Sequence, residues 1–185
     1  MKSDRERWDS RYSQEYGDTP TPDPLLLDCS HLLTGGRALD LACGIGSNSL
    51  FIAQNGYWVD ALDTSMVALR RLQEESHQQH LPVGCVLVDL DYYPIPANLY
   101  DLVMVFHFFS KNLVGSIRTA LKPGAILVYA TFNYRHMSEQ PGFCRDYLVP
   151  PGGVGQFFLD LEAIIDEEFS GENGAVSQFV AKNSR

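Results

Sequence analysis

The sequence predicts an α/β fold, a mostly parallel sheet with helices on both faces that is finished by a carboxy-terminal hairpin. Short apolar runs near 38–42, 58–62, 83–88, 102–106 and 125–131 alternate with helical stretches at about 47–55, 65–79 and 113–121. That is the rhythm of strand–helix–strand units. A glycine-rich turn, Cys43–Gly–Ile–Gly46, joins the first run to the first of these helices. Beyond 131 the rhythm breaks, and two apolar stretches at 163–169 and 175–180 are joined by Gly171–Glu–Asn–Gly174, a length that suits a hairpin. With 185 residues, 45% of them hydrophobic, the chain is expected to form one domain, 1–185, with a core large enough for three layers.

Taken in order, residues 2–14 are charged and aromatic. They predict a short helix with Trp8 and Tyr12 on one face at i and i+4. Thr19–Pro–Thr–Pro–Asp–Pro24 is expected to be an extended, proline-stiffened strap, so that 1–34 form a helix and strap over the cleft. Pro24–Leu–Leu–Leu27 returns to the core and leads to a turn at Gly35–Gly36. Ser65 is a good N-cap for the helix at 65–79, and Lys122–Pro–Gly124 stops the helix before the fifth strand. Asn133–Pro151 is polar, aromatic and rich in turn formers.

The chemistry concentrates where the first two strands end. Asp40 closes the first strand, and Gly44 and Gly46 allow a ligand to approach the backbone where a Cβ would collide. Asp63 ends the second strand, where a carboxylate can accept hydrogen bonds from both hydroxyls of a ribose. An adenosine-containing cofactor follows. The dinucleotide fingerprint requires a third Gly or Ala, and Ser49 stands there instead. Asp40 would also repel a diphosphate. A cofactor carrying an ammonium and a sulfonium, S-adenosylmethionine, fits these residues better than NAD.

Charge narrows the partner. A net charge of −9 repels phosphate backbones, which makes a nucleic acid a poor partner and a small molecule a better one. No apolar run reaches the length of a membrane span. The start, Met1–Lys–Ser–Asp–Arg–Glu–Arg–Trp8, has no apolar signal core, and a cytoplasmic location is expected. Cys29, Cys43, Cys85 and Cys144 lack paired spacing and read as reduced thiols, with no metal site expected.

Several segments resemble class I S-adenosylmethionine-dependent methyltransferases, and among them the small tellurite-resistance-type enzymes. They are Leu39–Asp–Leu–Ala–Cys–Gly–Ile–Gly46, Asn48–Ser–Leu–Phe–Ile–Ala–Gln–Asn–Gly–Tyr57 and Val59–Asp–Ala–Leu–Asp63. Supporting matches are Tyr100–Asp–Leu–Val103, Leu121–Lys–Pro–Gly–Ala–Ile–Leu127 and Trp8–Asp–Ser–Arg–Tyr12. The resemblance implies a Rossmann-like seven-stranded sheet in the order 3-2-1-4-5-7-6, with strand seven antiparallel. It assigns Ala42, Gly44 and Gly46 to the methionine end of the cofactor, Asp63 to the ribose, Thr64, Asp89 and Leu90 to the adenine, and Phe106 to the neighbourhood of the sulfonium. Asp40, Asn48 and a capping Tyr12, with Trp8 and Arg11, complete the expected cofactor set. Relatives carry a Gly-Glu-Leu helix start after the fifth strand, where this chain has Gly152–Gly–Val154 without the acid.

Methyl transfer from a sulfonium is an in-line displacement whose leaving group is already activated, so holding the acceptor in line can supply much of the rate. His107, at the C-terminal edge of the fourth strand, is the candidate base, and Tyr134 and Arg135 are candidates for holding the acceptor. The expected function is methyl transfer to a small-molecule acceptor with release of S-adenosylhomocysteine, by a monomer or homodimer. Two alternatives stand beside it: a non-catalytic protein that binds the cofactor to regulate or sense, and an NAD-dependent oxidoreductase. The acidic run Asp166–Glu–Glu168 is expected to be solvated and to guard a sheet edge.

Overall fold

The structure is a computed structural model that describes residues 2–14, 21–139, 145–171 and 174–185. Its packing divides the chain into two compact units, Met1–Pro94 and Ile95–Arg185. Among the described residues seven strands, counted in chain order, are hydrogen-bonded in the order 3-2-1-4-5-7-6. This is the Rossmann-like order that the resemblance implies. No described helix is long and apolar enough to cross a membrane.

The first unit holds α1 (Lys2–Gln14), α2 (Pro24–Asp28), β1 (Gly36–Leu41), α3 (Ser47–Gln54), β2 (Tyr57–Asp63), α4 (Met66–Gln78) and β3 (Val83–Leu87). Its strands pair in parallel, with Asp40 opposite Ala61 and Asp63 opposite Leu87. Ala38, Leu39 and Leu41 of β1 and Val59, Ala61 and Leu62 of β2 are buried. Burial of neighbouring positions, whose side chains point to opposite faces, marks strands covered on both faces.

One element departs from expectation. The stiffened strap does not run on to Pro24; there the chain turns into α2, with Asp23 accepting from the Leu25 N–H at 2.9 Å and Pro24 at the first turn. An acceptor followed by proline is a helix start, because proline gives up an N–H that would be unpaired there anyway. Thr19 and Pro20 lie outside the described residues.

The second unit holds β4 (Tyr100–Phe106), α5 (Val114–Ala120), β5 (Leu121–Phe132), the short α6 (His136–Glu139), β6 (Glu162–Gly171) and β7 (Gly174–Lys182). β4 and β5 are parallel, and β7 lies antiparallel between β5 and β6. The expected hairpin is present, although Glu172 and Asn173 of its loop lie outside the described residues.

β5 begins earlier than the apolar run predicts. The helix stops at Ala120, but Lys122–Pro–Gly124 belongs to the strand as an irregularity: Tyr100 pairs with Leu121 and Leu102 already with Ile126. Asn183 braces it, donating from its amide to the carbonyls of Leu121 and Lys122 at 3.2 and 3.0 Å. The Gly124 N–H in turn donates to the Asn183 carbonyl at 2.6 Å.

Candidate cofactor and acceptor sites

In the first unit, β1 ends in a turn whose backbone is left-handed at Ala42, Gly44 and Gly46, with φ of 57°, 55° and 80°. Gly46 sits at the N-cap of α3. A Cβ on Gly46 would collide with the Leu72 side chain, so α4 adds to the demand for glycine that the left-handed backbone already makes. A Cβ on Gly44 would lie 2.6 Å from the Tyr12 hydroxyl, which places α1 directly over the turn.

Asp63 ties this turn to the tip of β2. One carboxylate oxygen accepts from the Gly44 N–H at 2.8 Å and the other from the Ser65 N–H at 2.7 Å. The carboxylate is 6% exposed. Burial raises its pKa against the opposing pull of the Ser65, Gly44 and Thr64 N–H groups, and the charge of Asp9 adds to the rise. Thr64 is half-buried beside it.

Asp40 is held differently. It is 2% exposed and accepts from the Ser49 hydroxyl at 2.6 Å. Burial first, and then the charge of Asp63, push its carboxyl up to about 7 in spite of that bond. Ser49, the residue that breaks the dinucleotide fingerprint, is therefore the partner of this buried acid. Through that bond Asp40 is tied to the first turn of α3.

Asn48 accepts from the Asp23 N–H at 2.8 Å and so ties α2 to α3. The Val88 N–H donates to the Asp63 carbonyl at 3.0 Å, which carries the chain from β3 past the tip of β2. Asp89 follows, half-buried, its carboxylate accepting from the Asp91 N–H at 3.2 Å, and Leu90 is buried. The structure thus gathers Tyr12, Ala42, Gly44, Asp63, Thr64 and Asp89 around the ends of β1, β2 and β3, while Gly46, Asp40 and Asn48 are engaged by Leu72, Ser49 and Asp23.

One residue of this site was missed from sequence. Asp9 accepts from the Ser65 hydroxyl at 2.6 Å and from the Val67 N–H at 3.2 Å. Burial opposes its ionisation, but the Ser65 hydroxyl, the N–H groups of Val67 and Met66 and the nearby Arg5 hold its carboxyl below the usual range. The only signal was an acid on the same helical face as Tyr12, three residues before it.

The free thiols Cys29 and Cys43 are both pushed up by burial, Cys29 to about 11. Cys85 is also free and raised by burial. Cys144 lies outside the described residues.

In the second unit, Phe106 ends β4 and is buried, and His107 follows it, exposed and left-handed with φ of 54°. Its N–H donates to the Ala130 carbonyl at 2.8 Å, and its ring lies 5.5 Å from that of Phe132. A non-glycine residue held in this conformation stores strain, a common mark of functional positions. Past β5, Asn133 is buried and its side chain accepts from the Arg135 N–H at 3.0 Å, closing the turn that presents Tyr134 and Arg135. The Arg135 guanidinium lies 5.8 Å from the Tyr134 ring and 3.9 Å from Glu168.

Glu168 differs from the solvated edge residue expected: its side chain is half-buried. Strand alternation turns it to the same face as Ser177, its cross-strand partner. Its Oε1 lies 3.5 Å from where a Cβ on Gly153 would stand.

Residues 6–130, well over half the chain, match the family described as tellurite resistance protein TehB. The chain belongs to the TehB family. The probable S-adenosyl-L-methionine-dependent methyltransferase TehB of Haemophilus influenzae is 29% identical over 114 residues, 60% of this chain and 39% of that protein. This chain therefore spans about two-fifths of the length of that curated relative. The crystal structure of the Haemophilus influenzae TehB superposes with a TM-score of 0.77 at 18% identity, covering 95% of this chain and 67% of that one. An S-adenosylmethionine-dependent methyltransferase from Mesorhizobium loti gives 0.69 at 19% identity, covering 84% and 96%. At these identities the structural likeness is one of fold: this TehB family member shares the Rossmann-like fold of those proteins.

Proposed function

We propose that this chain is an S-adenosylmethionine-dependent methyltransferase that acts on a small-molecule acceptor and releases S-adenosylhomocysteine. The observation that carries the proposal is Asp63, a carboxylate at the tip of β2 that is fixed on both oxygens by backbone N–H groups, one of them from the glycine turn. A carboxylate has about four lone-pair sites, so after these bonds it keeps capacity for the hydroxyls of a ribose. The residues fit the cofactor in a second respect: the Asp63 carboxylate, bonded to the turn through the Gly44 N–H, favours a cation over a pyrophosphate. Family membership and the names of the relatives support the same assignment.

When bound, the cofactor would supply an activated methyl group. The protein's part is positional. Asp63 holds the nucleoside end, the Ala42–Gly46 turn fixes the methionine end, and Asp89 offers a carboxylate toward the adenine. His107 is the group available to orient or deprotonate an acceptor, and Arg135 with Tyr134 can meet an anionic or aromatic part of it.

A cofactor-binding protein without activity is the competing assignment, favoured by the missing acid at Gly153. The nearby Glu168 weighs against it. Calorimetry with S-adenosylhomocysteine and NADH, followed by methyl transfer to a panel of small acceptors, separates the assignments. Binding of S-adenosylhomocysteine and turnover of one acceptor are expected. NADH binding, or binding without turnover across the panel, would overturn the proposal. His107→Ala should lower turnover at unchanged cofactor affinity, and equal turnover would remove His107 from the chemistry.

A further inference from the structure

α1 is an unusual helix to find docked. Its sequence, Lys2–Ser–Asp–Arg–Glu–Arg–Trp–Asp–Ser–Arg–Tyr–Ser–Gln14, offers Trp8 and Tyr12 as its large apolar side chains. Arg5, Glu6, Arg7, Ser10, Arg11, Ser13 and Gln14 are exposed, and Trp8, Asp9 and Tyr12 turn inward. Helices of about 12–15 residues are marginal in water on their own, so the contacts of this inward face decide where α1 sits.

Those contacts close a circuit. Asp9 accepts from the Ser65 hydroxyl and the Val67 N–H at the start of α4. The Ser65 N–H donates to Asp63, whose other oxygen takes the Gly44 N–H. Above Gly44 lies the hydroxyl of Tyr12, one helical turn beyond Asp9 on α1. A second tether runs from the Arg71 guanidinium to the Tyr12 carbonyl at 3.3 Å. Trp8 stacks on Tyr12 with ring centroids 6.0 Å apart, and Arg7 and Arg11 lie 5.2 and 5.3 Å from its ring.

We propose that Asp9 is a positioning residue of the cofactor site: by capping α4 through Ser65 it pins α1 so that Tyr12 covers the glycine turn and retains the bound cofactor. The proposal rests on the cofactor assignment above. Asp9 touches neither the turn nor the ribose-binding face of Asp63. Its effect is carried by the helix to Tyr12 and by Ser65 to Asp63. An ionised acceptor suits the role because charge-assisted bonds to a hydroxyl and a backbone N–H are among the stronger hydrogen bonds a side chain makes.

The test uses the full chain with Trp58→Phe, which leaves Trp8 as the single tryptophan. Stopped-flow displacement of bound S-adenosylhomocysteine gives its dissociation rate, and Trp8 emission reports whether α1 is docked. Asp9→Ala is expected to raise the dissociation rate about tenfold, shift Trp8 emission to the red and leave the association rate undiminished. Asp9→Asn, whose amide oxygen still accepts both bonds, should restore most of the slow dissociation. Arg71→Met should move both readouts the same way by a few-fold, and it serves as the second variant should Asp9→Ala fail to fold. A wild-type dissociation rate in a folded Asp9→Ala protein would overturn the inference, whether or not the emission shifts. If the parent protein does not bind S-adenosylhomocysteine, the cofactor assignment itself fails and the inference falls with it; parent binding with an unchanged variant removes the inference alone.

Discussion

Asp40 and Asp63 are buried carboxylates close to the ends of neighbouring strands, and their partners give them different work. Asp63 is bound by backbone N–H groups on both oxygens, which leaves its charge directed at the end of the sheet. Asp63→Ala should weaken S-adenosylhomocysteine binding by about 1.5–3 kcal/mol, the scale of a hydrogen bond to a charged group; calorimetry at unchanged affinity would exclude its ribose role. Asp40 has a folded-state pKa raised by burial to about 7, above its unfolded value of 3.8. The folded protein therefore holds the proton more tightly between those values, and stability from this group is lost as pH rises from about 4 to 7. At about 1.4 kcal/mol per pH unit, that is up to about 4 kcal/mol over the window. Asp40→Asn, which cannot ionise and can still meet the Ser49 hydroxyl, should flatten this part of the dependence of the denaturation midpoint on pH. An unchanged slope would show that Asp40 titrates at its ordinary value.

At the scale of elements, apolar runs located every strand of the sheet: central parallel strands covered on both faces are largely apolar, and the last two were marked by the loop that joins them as a hairpin. The runs were blind where the backbone is governed by single capping or bracing groups. α2 is five residues long, too short for a hydrophobic period, and its signal is the pair Asp23–Pro24. Asp23→Ala should cost about 0.5–2 kcal/mol of stability, the usual worth of an N-cap, since it removes the acceptor for the Leu25 N–H. The Asp23 N–H that donates to Asn48 survives the change, so a loss within that range in urea denaturation would isolate the cap; no loss would show that α2 is held by the burial of Leu25 and Leu26. The early start of β5 was hidden for a similar reason, because the residue that braces Lys122–Pro–Gly124 is Asn183, about sixty positions away. In the candidate site, glycines, terminal acids and their order were legible, as these follow from local backbone needs. A helix bringing Tyr12 over the cleft was expected, but other occupants of the space around these residues were not legible: Leu72 over Gly46 and Asp9 on Ser65 are long-range contacts that no local pattern encodes.

The whole molecule carries 23 acidic against 14 basic residues, a net charge of −9. Several of the basic groups are already committed: Arg37 to Asp60, Lys122 to Asp101 and Arg118 to Asp160, each at 2.8 Å. Cations neutralised in such pairs are less free to release counterions from a phosphate backbone, and that release supplies nearly all non-specific affinity for nucleic acid. The acidic surplus acts over a Debye length of about 8 Å at physiological salt, so it opposes approach of a polyanion even where a single arginine is exposed. Titration of the protein with transfer RNA and with duplex DNA at about 150 mM salt should therefore show no binding tighter than about 10 μM, and lowering the salt to about 50 mM should not rescue it. A steep gain in affinity on that dilution would mean that some face of the molecule gathers enough cations to hold several phosphates. The acceptor would then have to be sought among nucleic acids, and the small-molecule assignment would be the part of the proposal to give way.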